Sequence, residues 1–234
     1  MEFYESMKDE LQVLHLNDVI SNGQAVSLTA IRTCYSPNNP TDIVNLEGEK
    51  YFGSVASDGE GGTEADRLIR HIARSGHTST LEHLSFQFAI EGVSRSLLAQ
   101  LTRQRAGFSY SVQSQRYVRF GSEDKSQGFD YVIPPSIVKH EEGTKFFENM
   151  MAWIQTWYDE LRAMGIPAED ARFILPNAAT CNIVLSANLR ALLTFYSKRK
   201  PGRGAQWEIA QLAEEMKNAV VEVEPWTEKF FDEV

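Results

Sequence analysis

The amino-acid sequence predicts an α+β fold, a mixed sheet flanked by helices of which one is long and amphipathic, in a single domain over residues 1–234. Three observations lead there. Phe86, Phe88 and Ile90 alternate with Ser85, Gln87 and Glu91, the period of a strand with one buried face, and Cys181, Ile183 and Leu185 suggest another strand. Phe146, Phe147, Met150, Met151, Ile154, Trp157, Tyr158 and Leu161 recur instead at helical spacing. Strands and helix pairs follow one another without the regular strand-helix-strand rhythm of a doubly wound sheet. A chain of 234 residues with 42% apolar content can enclose a core of ordinary size.

In chain order, Leu and Val over residues 11–17 predict a first strand, and Ala25 to Cys34 a helix with Leu28 and Ile31 on one side. Pro, Asn, Gly and Asp crowd residues 36–62, which predicts a mobile loop. Glu64 to Ser75 has a helical pattern, with Gly76 placed to end it in a left-handed cap. Ser79-Thr80-Leu81-Glu82 has the form of a capping box. After the strand around Phe88, Ser94 can cap a helix to Gln104 whose stripe is Leu97, Leu98 and Leu101. The long amphipathic helix stops near Gly165, and its aromatics belong to a core or a subunit interface. The strand at Cys181 to Leu185 leads to Asn188, a candidate cap for a helix to Ser197, and a last helix runs from Gln206 to Val221.

A net charge of -9 argues against general nucleic-acid binding, which needs a basic surface to displace counterions. Cys34 and Cys181 form neither a disulfide framework nor a zinc motif, in keeping with a reducing cytoplasm. No basic, apolar leader opens the sequence and no segment is long and apolar enough for a bilayer, so a membrane partner is not expected.

Charge is unevenly distributed. Arg95, Arg103, Arg105, Arg116 and Arg119 fall in a stretch without a carboxylate, and so do Arg190, Lys198, Arg199, Lys200 and Arg203. Two basic islands on an acidic chain suggest two walls of an anion pocket, although solvated helix faces give the same pattern. Arg103 and Arg105, two apart at the end of the expected helix, would project to opposite sides and serve two ligands or two subunits. Gln100 shares a face with Arg103, an amide beside a cation, which suits a uracil-like edge next to a phosphate. The stretch from Ala106 to Tyr117 is dense in hydroxyls, amides and aromatics, as a loop around a nucleotide would be.

At Arg103-Gln104-Arg105 and Ser114-Gln115-Arg116-Tyr117 the chain closely resembles the flavin-dependent thymidylate synthases, whose signature is an Arg-His-Arg triplet followed by a spaced Ser and Arg. Gln104 stands where that family usually has His, and the spacing to Ser114 is one residue longer. Three further blocks carry the resemblance: Gly76-His77-Thr78-Ser79-Thr80-Leu81-Glu82-His83, Ala171-Arg172-Phe173-Ile174-Leu175-Pro176, and Asn188-Leu189-Arg190 through Arg199 to Ala205-Gln206-Trp207-Glu208. The family's usual histidine after the second basic island is replaced by Arg203-Gly204.

The resemblance implies reductive methylation of dUMP to dTMP, with methylenetetrahydrofolate as carbon donor and NADPH as reductant through bound FAD. It implies dUMP contacts at Gln100, Arg103, Val112, Gln113, Ser114, Gln115, Arg116, Arg172 and Arg199. It implies FAD contacts at Ser79, Arg103, Gln104, Arg105, Asn188, Arg190 and Thr194, and places His77 near the flavin where folate stacks. Neither cysteine sits in the context of a uracil-attacking thiolate. The family instead resembles a case of electrostatic activation, in which a fixed cation beside the pyrimidine stabilises charge as N3 ionises, and Arg199 is the catalytic candidate. Ser114 has no nearby base and reads as a phosphate or loop contact rather than a nucleophile. A homotetramer with sites shared between subunits is implied, and no metal. Two alternatives stand beside this reading: a non-catalytic nucleotide-binding module, and a metal-dependent hydrolase built on His71, His77, Glu82 and His83, whose spacing is not that of a helical zinc motif.

Overall fold

The structure, a computed structural model, describes residues 13–15 and 22–234. Among the described residues, four strands form one sheet in the order β1-β2-β4-β3: β1 (Val13–His15), β2 (Ser85–Ser94), β3 (Phe108–Val112) and β4 (Thr180–Asn188). The α+β class follows. Of the strand expected over 11–17, Val13–His15 is present and the remainder lies outside the described residues. The described chain falls into two compact units. One comprises Val13–Phe88, Gln104–Ser109 and Leu185–Val234; the other comprises Ala89–Arg103 and Tyr110–Val184.

In the first unit, α1 (Gly23–Tyr35) begins at Asn22, whose side chain accepts from the Ala25 N–H at 3.0 Å. A second helix, α2 (Ile43–Phe52), lies inside the segment expected to be a loop. Its Ile43 and Tyr51 are buried, and Tyr51 joins Leu28 and Ala65 in one apolar cluster. Tertiary burial of this short apolar face outweighs the turn-forming residues that flank it on both sides. The rest of that segment is tethered: the buried Arg70 of α3 (Glu64–Arg74) donates from Nη2 to both carboxylate oxygens of Asp58 at 2.9 Å and to the Gly61 carbonyl at 3.2 Å. The capping box belongs to α3, between Thr63 and Asp66. The expected box at Ser79 is not formed, because residues Thr78–His83 make a 3-10 turn with no side-chain cap. Gly76 does take the left-handed conformation at φ +86°, and the next N–H, of His77, bonds back to the Ile72 carbonyl at 3.2 Å.

Asn188 ends β4 and caps α8 (Leu189–Arg199), accepting from the Ala191 N–H at 2.9 Å. Leu189, Leu192, Phe195 and Tyr196 anchor α8, each such burial contributing roughly 1.5–3 kcal/mol. α8 packs against the 3-10 turn and against α9 (Trp207–Val223), and α10 (Glu228–Asp232) closes the unit with Phe230 and Phe231 buried.

The second unit contains α4 (Arg95–Leu101), α5 (Pro135–Val138), α6 (Glu141–Ala163) and α7 (Ala168–Ala171). Ser94 caps α4 by accepting from the Leu97 N–H at 3.0 Å. α4 ends at Leu101 rather than Gln104, so Arg103 and Arg105 belong to the turn that follows; their separation on two faces of one helix does not hold. α6 buries Met151 and Tyr158 with Phe120, Phe129, Ala171 and Ala179. The Phe120 N–H donates to the Tyr158 hydroxyl oxygen at 3.3 Å. Of the aromatics assigned to a core or a subunit interface, Phe146 and Trp157 are exposed.

Candidate functional site

In the first unit, the turn after α4 and the N-terminal end of α8 enclose a cavity of about 340 Å³. Gln104, Asn188, Arg190 and Thr194 line it, together with Glu82, Ala106, Gly107 and Ala191. Four of the residues expected to contact FAD, drawn from both basic islands, are thereby gathered in one place. Local backbone chemistry explains how. The Phe108 N–H bonds to the Arg105 carbonyl at 3.1 Å and the Asn188 N–H to the Gly107 carbonyl at 3.2 Å, which closes the turn against the strand-to-helix junction. Gly107, at φ +74°, sits so close that a Cβ there would lie 2.6 Å from the Ala191 Cβ and 2.9 Å from Asn188 Nδ2.

The electrostatics favour an anion. The cavity opens at the positive end of an 11-residue helix, and Arg190 stands in its first turn. The Arg190 guanidinium donates to the Glu82 carboxylate, with both side chains about half exposed. A solvated pair of this kind contributes little stability, so a ligand phosphate can take Arg190 over. The Thr194 hydroxyl donates to the Arg190 carbonyl at 3.0 Å. Beyond Arg190 and Thr194 lies a second cavity of about 430 Å³, bordered by Arg74, Thr78, Leu81, Phe230 and Glu233. Arg74 is held there by Glu60 at 2.7 Å and Glu233 at 2.6 Å, two carboxylates that push its already high pKa higher.

The 3-10 turn next to these cavities carries Ser79 and His77, both exposed. His77 Nδ1 is 2.8 Å from the Tyr35 hydroxyl. Arg105 is exposed in the turn, and Arg199 is half-buried at the end of α8, outside both cavities. Among the described residues, the Arg199 side chain forms no ion pair or hydrogen bond.

In the second unit, Gln100 is half-buried on α4 and Arg103 is exposed just beyond it. The Tyr110 hydroxyl donates to the Leu101 carbonyl at 3.0 Å, pinning the end of α4, and burial pushes its phenol up so that it stays a donor. The loop from Val112 to Arg116 is held at Gln113, whose N–H bonds to the Asn182 carbonyl at 2.8 Å and whose carbonyl accepts from Arg95 Nη2 at 2.8 Å. The Ser114 hydroxyl accepts from the Arg116 N–H at 3.2 Å, while Gln115 is half-buried. Arg116 and Arg172 converge on one residue. Arg116 pairs with the Glu169 carboxylate at 3.0 Å and Arg172 Nε donates to the Glu169 carbonyl at 3.0 Å.

Sequence reasoning missed Glu82 and Ala191 as cavity walls, and Glu169 and Tyr35 as partners of expected site residues; Ala106 and Gly107 were placed only within a nucleotide-binding loop. Ala106-Gly107 carried a readable signal, since a glycine beside a basic triplet marks a close backbone approach. Tyr35 carried none, because its partner is 42 residues away. The metal alternative lacks a site: among the described residues, no three His, Cys, Asp or Glu side chains gather as a metal would require, and His71, His77, Glu82 and His83 do not converge. Among the same residues, no helix is long and apolar enough to cross a membrane.

A family model described as thymidylate synthase complementing protein matches residues 15–226. A flavin-dependent thymidylate synthase from Geobacter sulfurreducens is 47% identical over 163 residues, covering 70% of this chain and 68% of that protein. The flavin-dependent thymidylate synthase of Clostridium tetani is 35% identical over 221 residues, 87% of this chain and 80% of that one. Among solved structures, the UMP/dUMP methylase PolB from Streptomyces cacaoi, bound with 5-Br dUMP, is similar with a TM-score of 0.72 at 22% identity, over 95% of each chain. Thymidylate synthase X from Helicobacter pylori, with FAD and dUMP, gives a TM-score of 0.65 at 22% identity over 95% of this chain and 98% of that one. At that identity the likeness is one of fold.

Proposed function

The chain belongs to the thymidylate synthase complementing protein family, the flavin-dependent thymidylate synthases, and from that premise we propose how its own residues serve the conversion of dUMP to dTMP. Methylenetetrahydrofolate is the carbon donor, NADPH the reductant and FAD the cofactor. The observation that carries the reading is the single cavity that joins Gln104 to Asn188, Arg190 and Thr194.

These residues fit FAD. Gly107 lets the turn close against α8 where a Cβ would clash, and the α8 N-terminus with Arg190 offers fixed positive charge for a diphosphate. Gln104, Arg105, Asn188, Arg190, Thr194 and Ser79 are the proposed FAD residues, and Arg103 is proposed for both ligands. The chemistry FAD supplies when bound is hydride exchange with NADPH and reduction after carbon transfer.

For dUMP, Arg116 and Arg172 are the proposed phosphate ligands. Their convergence on Glu169 supports this, since Arg116 pairs with its carboxylate while Arg172 donates to its backbone carbonyl, which brings the two cations to one residue. Gln100 and the backbone of the Val112 to Arg116 loop would hold the pyrimidine. Arg199, charged and without a counterion among the described residues, is the proposed activator. It would stabilise negative charge on the ring as N3 ionises, acting as a fixed charge because a guanidinium does not release its proton at neutral pH. His77 would face the folate.

The chain is further proposed to act as one domain over residues 1–234, in a cytoplasmic homotetramer with shared sites, without nucleic acid. Self-association is supported by α6. Phe146, Trp153, Trp157 and Met164 are 65%, 57%, 52% and 73% exposed, and their spacing of seven, four and seven residues puts them on one stripe about 27 Å long. Yellow colour, with NADPH oxidation stimulated by dUMP, is the direct test; a colourless protein inert toward NADPH would refute the reading. Arg199→Ala is expected to keep fold and flavin spectrum while lowering kcat for dTMP by about 10²–10³-fold. Unchanged turnover would remove Arg199 from the mechanism.

A further inference from the structure

We propose that Tyr35 is a positioning residue that sets the tautomer and ring orientation of His77 for the flat co-substrate it receives. The proposal rests on the functional reading above, in which His77 faces folate.

His77 is tied down at its backbone and open at its side chain. Its N–H bonds to the Ile72 carbonyl at 3.2 Å, its own carbonyl accepts from the Thr80 hydroxyl at 3.2 Å, and Gly76 before it makes the sharp turn out of α3. The imidazole is exposed and would sample several rotamers if nothing else held it. Tyr35 supplies the hold: its hydroxyl is 2.8 Å from Nδ1. Tyr35 is the last residue of α1, and α1 packs against both α3 and the 3-10 turn, so the phenol comes from a scaffold that shares the position of the histidine backbone.

The geometry of the bond decides what it can do. The Nδ1 lone pair lies in the plane of the ring, so a phenol donating to it leaves both faces of the imidazole free for stacking. In this proposal the phenol is the donor to Nδ1 rather than the acceptor from it, which would place the imidazole proton on Nε2. The ring therefore meets a planar heteroaromatic with its orientation already determined, and less rotational freedom is lost on binding.

Steady-state kinetics of full-length protein, at saturating dUMP and NADPH, test this with Tyr35→Phe, His77→Ala and the double variant. One lost hydrogen bond of about 0.5–1.5 kcal/mol corresponds to roughly a 2- to 10-fold rise in the KM for methylenetetrahydrofolate. Tyr35→Phe is expected to show that rise with kcat at saturating folate changed less than about twofold, and adding it to His77→Ala is expected to cost nothing more. Nitrogen-15 NMR of labelled histidine is expected to show one Nε2–H tautomer at His77 in the parent protein and a tautomer mixture in Tyr35→Phe. Effects that multiply in the double variant, or a nitrogen-15 pattern indifferent to Tyr35→Phe, would overturn the proposal. A parent protein without dUMP-stimulated NADPH oxidation would refute the functional reading instead, and the nitrogen-15 spectra distinguish that failure from loss of the Tyr35–His77 bond.

Discussion

Gly107→Ala is the most informative single perturbation, because one methyl group tests both the backbone of the 104–107 turn and its fit against α8. Two costs combine. The backbone at φ +74° is one that a side chain disfavours by roughly 1–2 kcal/mol. The new Cβ would stand 2.6 Å from the Ala191 Cβ and 2.9 Å from Asn188 Nδ2, a clash whose relief by local movement costs about 1–3 kcal/mol. Neither neighbour retreats easily: Ala191 is buried in the first turn of α8, and Asn188 is committed to capping that helix. The sum, roughly 2–5 kcal/mol, predicts a fall in Tm of about 5–15 °C for a chain of this size. FAD affinity should fall as well, since the turn must move away from Arg190 and Thr194. Thermal unfolding and a flavin-fluorescence titration measure the two effects. Ala191→Gly in the same protein should recover about 1 kcal/mol by removing one clashing partner, seen as non-additivity in the double variant. A Gly107→Ala protein with unchanged Tm and unchanged FAD affinity would refute the close approach and the cavity built on it.

Two further outcomes are expected. Trp153→Glu with Trp157→Glu should shift the protein to smaller oligomers in sedimentation while circular dichroism stays unchanged, because both rings are exposed on α6; an unaltered sedimentation profile would remove the stripe from the interface. Glu60 lies below its ordinary value of 4.5, chiefly through the Arg74 bond, and Arg70 helps hold Asp58 below 3.8 against the opposing effect of burial. A lowered carboxylate stabilises the fold above its unfolded-state pKa and stops doing so as the pH falls through the folded one. Amide protection factors over residues 54–62, corrected for the intrinsic exchange rate at each pH, should therefore fall below about pH 4.5 and stay constant between pH 6 and 8, and the reverse trend would refute the tether.

Much of the architecture was legible because it rests on local rules. The alternation at Phe86, Phe88 and Ile90, the caps at Ser94 and Asn188, and the left-handed Gly76 each follow from properties of a few adjacent residues, and each is present. The segment 36–62 was misread for the same reason: its flanking turn formers are a local signal, whereas burial of Ile43 and Tyr51 is not. The C-terminal end of α4 and the 3-10 turn at Ser79 were misjudged where two local tendencies competed and packing selected between them.

The sequence alone determined the fold class and the family and supplied the residue types proposed for the site, because arginines, amides and a glycine-bearing turn in a given order carry their chemistry with them. Only the tertiary structure decided which of them meet. Gln104 and Thr194 are 90 positions apart yet border one cavity, Arg116 and Arg172 share Glu169, and Tyr35 reaches His77. The reason is physical: a hydrogen bond or an ion pair depends on angstroms, and separation along the chain says nothing about angstroms until burial of the apolar faces has folded the chain back on itself.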